Sequence, residues 1–288
     1  MPLPPELFRA LGTLCESPGP ERGRVAAALG LPGVLDAEAH TGLFVLQLPP
    51  YASVYVGPDG MLGGEAQDRA AGFWRALRLT PPAEPDHLAA LLGLYASLAE
   101  REGAEPDPAR RLMWRHARRT LLQEHLLTWL PPYAQAVAGI APGFHAAWAR
   151  LLIDALSADA RELTAPCAPA WLRDVPELPG REAEGFTRAL LTPARSGMII
   201  SRADLARGAR TMGLGLRIGE REFVLSSLLA QDPAATFGWL AGEAAAWRAR
   251  HARTAPSALV RHWLTRAETA HRTLDDIHRA ATEMTHAP

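Results

Sequence analysis

Proline falls between the apolar-periodic segments of this chain and not within them. Single or paired prolines stand at 49–50, 81–82, 131–132, 142 and 256. Because proline lacks a backbone donor and clashes with the preceding helical turn, each position predicts the end of a helix. Alanine and leucine make up about a third of the 288 residues, a composition that favours helices. We therefore expect an all-α fold, in which a multi-helix bundle is followed by an additional C-terminal helical domain.

Helical periodicity predicts the bounds of the individual elements. Residues 53–56 come nearest to a strand, and they end at the turn sequence Gly-Pro-Asp-Gly. The predicted helices lie near 4–15, 21–30, 34–48, 63–79, 85–102, 108–130, 132–139, 143–163, 183–191, 202–212, 219–231, 233–252 and 257–285.

Charge and cysteine content exclude several classes of protein. The formal charge is −1, from 30 cations and 31 acids, so no uniform basic field is available to hold nucleic acid or anionic lipid. Cys15 and Cys167 lack metal-ligand or redox spacing, which is typical of reduced thiols. No apolar signal-peptide region is found, and prolines interrupt the longest uncharged stretch, 126–148. We expect a cytoplasmic protein without stable membrane insertion.

Four prolines within 14 residues, from Pro166 to Pro179, predict a linker. The charge changes sign there: residues 1–164 carry 14 Arg and 18 acids (−4), and residues 165–288 carry 16 Arg and 13 acids (+3). We therefore predict a helical domain at 1–164, a proline-rich linker at 165–182 that is exposed or loosely packed, and a helical extension at 183–288.

An acidic run lies between residues 84 and 107, and the next helix opens with arginines at 110, 111, 115, 118 and 119. Two interpretations are open. The charged faces of two adjacent helices pair with each other, or the acids form a surface for a basic peptide.

The sequence Glu-Pro-Asp-His at 84–87 is the most informative stretch. Pro85 suits the first position of a helix, and Asp86 would then lie in the first turn, where the helix dipole favours a carboxylate. The same dipole disfavours the charged form of His87. Apolar residues follow at helical spacing and predict a buried stripe: Leu88, Leu91, Leu92, Tyr95 and Leu98. Two interpretations of Asp86 and His87 are open. They are a capping acid and a buried core histidine, or they belong to a binding site.

Three segments in order resemble the TorD/DmsD/NarJ family of redox-enzyme maturation chaperones. The Glu-Pro-Asp-His-Leu sequence at 84–88 is similar to the family's signature, although many members have one more residue between Pro and Asp. Residues 50–56, Pro-Tyr-Ala-Ser-Val-Tyr-Val, resemble the family's Pro-x-x-Ser-Val-Tyr segment. Residues 125–133 resemble its His-Leu-x-x-Trp segment. The resemblance covers about 5–163 and implies a TorD-like helical domain at 1–164.

The resemblance implies a non-enzymatic cytoplasmic chaperone. Its partner would be the catalytic subunit of a molybdenum-containing oxidoreductase, or the twin-arginine leader of that subunit, held until cofactor insertion. The resemblance implies no resident metal or cofactor, and whether the chain contacts the molybdenum cofactor or a nucleotide stays open. The oligomeric state is also open between a monomer and a domain-swapped dimer. The implied client-binding residues are Glu84, Asp86 (to receive a guanidinium), His87, His125 and the aromatic anchors Tyr51, Tyr55, Trp129 and Tyr133.

Other patterns support alternative functions more weakly. One helix face carries alternating acids and histidines: Glu268, His271, Asp275 and His278. Their spacing is compatible with half of a metal site, and also with residues at the boundary between the core and water. The glycine-rich segment 213–219 has the wrong spacing for a dinucleotide loop. The helices at 202–212 and 219–231 could form a helix-turn-helix, so a DNA-binding regulator is an alternative function. An enzyme that acts on a small molecule through Asp86 and His87 is another.

Overall fold

The computed structural model describes residues 3–161, 168–181, 183–254 and 257–286. Regular structure in these ranges is helical, which confirms the all-α prediction, and an isolated β-bridge joins Tyr51 to His87. No described helix combines the length and apolar character needed to cross a bilayer. Contacts divide the chain into an N-terminal unit, Met1–Val56 with Met61–Ala168, and a C-terminal unit, Gly57–Gly60 with Pro169–Pro288.

Two of the helices predicted in the N-terminal unit, 34–48 and 108–130, contain π-helical segments, Thr41–Gln47 and Leu121–Leu126. The short helix at 52–56 replaces the segment that came nearest to a strand. The α-helices of this unit are α1 (Pro5–Thr13), α2 (Pro20–Ala28), α3 (Ala37–His40), α4 (Ala52–Val56), α5 (Gly64–Ala76), α6 (Leu88–Ala104), α7 (Pro108–Thr120), α8 (Leu130–Ile140) and α9 (Phe144–Ala160).

Helices α1 and α6 form the close contact on which the site is built. A Cβ at Gly12 would lie only 3.1 Å from the Cα of Ala89, so the glycine allows the two backbones to approach. The rings of Phe8 and Tyr95 meet edge to face at 4.9 Å, and both side chains are buried. The apolar stripe predicted for α6 is thus the core face of this pair.

The acidic run and the arginine-rich helix pair with each other at Glu102, which confirms the first interpretation at that residue. Arg118 Nε donates to one carboxylate oxygen of Glu102 at 2.9 Å, and Arg115 Nε donates to the other at 2.7 Å. Arg118 Nη1 also donates to Asp159 of α9 at 2.6 Å. Arg118, Glu102 and Asp159 are all buried, so this network joins α6, α7 and α9 inside the core.

The C-terminal unit is organised around two long helices that lie against each other, α15 (Pro233–Ala252) and α16 (Ala258–His286). Gly208 makes room for the indole of Trp239, since a Cβ there would lie 2.5 Å from the ring. Its helices are α10 (Ala170–Arg173), α11 (Phe186–Leu190), α12 (Pro193–Ser196), α13 (Arg202–Met212), α14 (Arg221–Gln231), α15 (Pro233–Ala252) and α16 (Ala258–His286).

The proline-rich segment is more structured than a loose linker. Helix α10 lies inside it, and Leu172 and Val175 are buried. The guanidinium of Arg266 donates to the carbonyl oxygens of Arg173 and Val175, which ties the segment to α16. Half of residues 168–181 are exposed, as expected for this segment, whereas Ala168, Leu172 and Val175 are buried and depart from the expectation. Residues 165–167 and 182 lie outside the described residues, and the domain boundaries at 164 and 182 stay predictions.

Candidate functional site

Two of the three motif segments meet at a short backbone junction. Ala52 N–H donates to the carbonyl of Asp86 at 3.1 Å, and Leu88 N–H donates to the carbonyl of Pro50 at 2.9 Å. These bonds flank the β-bridge between Tyr51 and His87. The segments that precede α4 and α6 are thereby held antiparallel, and their side chains share one site.

Asp86 is turned into this junction. Its side chain has no exposed surface, and its Oδ2 accepts from the backbone N–H of Ser53 at 3.0 Å. The other oxygen, Oδ1, is buried without a hydrogen-bond partner. Asp86 therefore caps α4, and α6 begins only at Leu88. The predictions that Pro85 opens the helix and that Asp86 lies in its first turn are wrong, because Pro85 and Asp86 lie in a separate turn, closed by a hydrogen bond from His87 N–H to the carbonyl of Glu84 at 3.2 Å.

His87 is the N-cap of α6. Its Nδ1 accepts from Ala89 N–H at 3.2 Å, so Nδ1 is unprotonated in this arrangement. Burial lowers the pKa of His87, in the expected direction, although the neighbouring Glu84, Glu16 and Asp86 oppose the effect. The His87 ring lies edge-on to Tyr51 at 4.8 Å. Burial, with the Glu84 and Asp86 carboxylates, raises the pKa of Tyr51 to about 12.

A groove of about 540 Å³ runs beside this junction, between α1 and the first turns of α6. Its α6 side is made of small residues: Ala89, Ala90 and Gly93. Glu16 and Glu84 are exposed carboxylates on its lining. The remaining lining residues are Arg9, Thr13, Pro82, Ala83 and His87.

Three predicted anchors lie in the core and not on the surface. Tyr55, Trp129 and Tyr133 are almost completely buried. Tyr55 and Trp129 stack with centroids 5.3 Å apart, and Tyr133 meets both rings at 5.1 Å. Their polar atoms donate to backbone carbonyls of Pro49, His125 and Leu48 respectively. Their burial leaves no surface for direct contact with a client in this structure, and their role as anchors stays a prediction.

His125 also lies away from the groove lining. It belongs to the second π-helical segment, and its ring is 5.0 Å from that of Phe73 on α5. Burial, followed by the charge of Arg69, lowers the pKa of His125 to about 4. The structure therefore brings together Glu84, Asp86, His87 and Tyr51 at the junction, and of these Glu84 and His87 line the groove. The other four predicted residues lie away from both.

The groove residues that no sequence pattern indicates come from α1 and the turn that follows it. Arg9, Thr13 and Glu16 line the groove about 70 residues before His87. Arg9 forms an ion pair with Glu100 on α6, and Glu16 accepts from Arg22 at 2.9 Å. No motif marks these residues, because only the packing of α1 on α6 places them at the site.

Replacement of Asp86 by alanine is expected to destabilise the protein by about 1–3 kcal/mol. The change removes the acceptor for Ser53 N–H and leaves that buried donor without a partner. Asp86→Asn should cost less, since the amide oxygen can still accept. Urea unfolding followed by circular dichroism measures both.

The exposed Asp68 on α5 offers the control, and Asp68→Ala should change the free energy of unfolding by less than about 0.5 kcal/mol. An Asp86→Ala midpoint equal to that of the unmodified protein would show that the cap is not needed.

The C-terminal patterns have structural explanations. His271 Nδ1 lies 3.1 Å from the carbonyl oxygen of Ala241, and His278 Nδ1 lies 2.8 Å from that of Ala234, so both rings bind α15. In the described ranges, no three metal-ligating side chains are gathered for an ion. Gly213, the first residue of the glycine-rich segment, ends α13 as a left-handed cap with a φ of 69°, and Ser201 and Asp204 form a capping box at the start of this helix.

Comparison with known proteins covers the N-terminal unit. The family model "Nitrate reductase delta subunit" matches residues 35–135, a range that contains all three motif segments. The chaperone protein TorD of Photobacterium profundum is 31% identical over 118 residues, which are 38% of this chain and 54% of that protein. The chain thus spans about half the length of this curated relative. The N-terminal part of the chain is thus similar to the nitrate reductase delta subunit family and to a TorD chaperone, in line with the resemblance of its three motif segments.

Proposed function

We propose that this chain is a maturation chaperone for a molybdenum-containing oxidoreductase, and that it binds the leader peptide of that client in the groove between α1 and α6. It would act in the cytoplasm before export, by binding and not by turnover. The observation that carries the proposal is the groove itself, which the two joined motif segments border and which combines small apolar residues with exposed carboxylates.

The chemistry of the groove suits a twin-arginine leader, which has a basic segment followed by an apolar one. Glu16 and Glu84 can receive guanidinium groups, and an arginine–carboxylate pair can be bidentate and hence selective. The small side chains of Ala89, Ala90 and Gly93 leave room for the apolar part of the peptide, whose burial supplies most of the affinity.

Asp86 and His87 have different roles in this proposal. Asp86 is buried and holds α4 through Ser53, so it is a positioning residue and not the receptor of a guanidinium. His87 lines the groove and meets the peptide directly. The capping contacts of both residues also argue against an Asp–His catalytic pair, since Asp86 Oδ2 binds Ser53 N–H and His87 Nδ1 binds Ala89 N–H.

The contacts of α14 do not favour DNA binding. A reading helix would present free side chains at its start. Here Arg221 donates to the carbonyl of Ile200 at 2.8 Å, and Glu222 pairs with Arg188 at 3.0 Å. Glu220 faces Arg202 at 3.4 Å. These side chains are engaged within the C-terminal unit.

Isothermal titration calorimetry tests the proposal with a synthetic twin-arginine leader from a molybdoenzyme encoded beside this gene. The unmodified chain should bind the peptide, and the double variant Glu16→Gln/Glu84→Gln should bind about three- to tenfold more weakly, because each exposed pair contributes up to about 1 kcal/mol. Raising the salt concentration should reduce this difference.

The matched control is Glu38→Gln/Glu65→Gln, which removes two exposed carboxylates that do not line the groove. It should retain the affinity of the unmodified chain. Absence of heat with both the leader and the mature client at tens of micromolar protein would contradict the proposed function, and equal losses in the two double variants would contradict the groove.

A further inference from the structure

The C-terminal unit contains buried nitrogen atoms without hydrogen-bond partners on three neighbouring side chains. They are Nε of Arg195, Nε2 of His262 and Nη1 of Arg266. His262 and Arg266 are one turn apart on α16, and therefore lie on the same face of that helix. Both arginines contact Glu177. Arg195 Nη2 donates to the backbone carbonyl of Glu177 at 3.1 Å, and Arg266 Nη1 lies 3.8 Å from the side-chain carboxylate of Glu177.

Arg266 is held rigidly in this cluster. Its residue exposure is 5%, and Nη2 is used by the carbonyls of Arg173 and Val175. These bonds fix the plane of the guanidinium and leave Nη1 for another acceptor. Gly197, with a φ of 71°, lets the end of α12 approach α16, since a Cβ there would lie 2.4 Å from the backbone nitrogen of Ala267. This approach brings Arg195 beside Arg266.

The cluster carries positive charge that its carboxylate balances poorly. Glu177 is 62% exposed and reaches Arg266 only at 3.8 Å. Burial lowers the pKa of Arg266, and the charge of Arg195 adds to that effect although Glu177 opposes it. Burial, then the charges of Arg266 and Arg173, lower the pKa of His262 to about 4. Because a buried cation is costly unless it is paired, such a cluster favours an added anion.

We propose that Arg195, His262 and Arg266 form a binding site for an oxyanion of the phosphate class, which replaces the carboxylate of Glu177. The two guanidinium groups supply charge-assisted donors, and the neutral imidazole of His262 can supply an N–H. Glu177 covers the site from its exposed position and competes with the anion. This site is independent of the groove and of the proposed chaperone function.

Calorimetric titration of the full chain with inorganic phosphate tests the site, with sodium chloride at equal ionic strength as the reference. Arg195→Gln and Arg266→Gln should each weaken phosphate binding about tenfold or more, because each removes a charge-assisted donor. Arg195 is only half-buried, so its variant remains informative if Arg266→Gln fails to fold. Arg272→Gln, at an exposed position of the same helix, should bind as the unmodified chain does.

The variant Glu177→Gln separates an anion site from a structural ion pair. It should bind phosphate about threefold or more tightly, whereas Glu268→Gln, at an exposed position of α16, should not. Tighter binding of glycerol 1-phosphate than of free phosphate would assign the site to a phosphorylated ligand, and the reverse order would assign it to the free ion. Two results would overturn the proposal. One is that 10 mM phosphate gives no binding signal beyond that of the chloride reference, and the other is that Arg195→Gln and Arg272→Gln lose phosphate affinity equally.

Discussion

Arg118→Ala is expected to lower the free energy of unfolding by about 3–5 kcal/mol, because it leaves the buried carboxylate of Asp159 without a cation and leaves buried Glu102 with Arg115 alone. Arg118 Nη1 lies 2.6 Å from Asp159, and Nε lies 2.9 Å from Glu102. After the change, Asp159 retains the hydroxyl of Tyr95, which does not balance its charge. Urea unfolding followed by circular dichroism measures the loss.

Arg115 provides the matched control, since it lies on the same helix and pairs with the same Glu102 at 2.7 Å. Its side chain is 57% exposed, and Arg115→Ala should therefore cost no more than about 1 kcal/mol. Adding Asp159→Asn to Arg118→Ala should recover part of the stability, because it removes an unpaired buried charge. Equal costs for the two arginines would show that burial of the network does not matter.

Gly93→Leu is expected to abolish or strongly reduce leader binding, by at least about tenfold, without unfolding the chain. Gly93 lines the groove on α6, and a Cβ at this position meets nothing within 4 Å. Leucine is a good helix former, so the substitution favours α6 by up to about 1 kcal/mol. Its side chain would occupy the space that the peptide needs. Calorimetry with the leader peptide, beside thermal unfolding, gives both quantities.

Gly103→Leu is the control for this substitution. Gly103 lies near the end of the same helix, its Cβ position is also open, and it does not line the groove. This variant should unfold as Gly93→Leu does and bind the leader as the unmodified chain does. Full binding by Gly93→Leu would place the peptide elsewhere on the molecule.

Most helices could be predicted from the sequence because their signals are local. Prolines and apolar periodicity gave 202–212 and 233–252 with the bounds that the structure has. The exceptions are short: α4, α10 and α12 have four or five residues, too few for a periodic pattern to appear. The start of α6 was placed three residues early, since Asp86 bonds to Ser53 across the junction and not to its own helix.

The sequence by itself determined that the chain is helical, and the resemblance of residues 50–56 and 84–88 to family segments implied that both contribute to client binding. The tertiary structure joined these two segments in one element. The tertiary structure decided which side chains of that element are accessible. Three predicted anchors are buried instead: Tyr55, Trp129 and Tyr133. Burial of their rings is favourable because their polar atoms donate to backbone carbonyls inside the core. Glu16 reaches the groove only through the packing of α1 on α6. Periodicity assigns a residue to a helix face, but the partner of that face is set by contacts between distant segments, which no local pattern records.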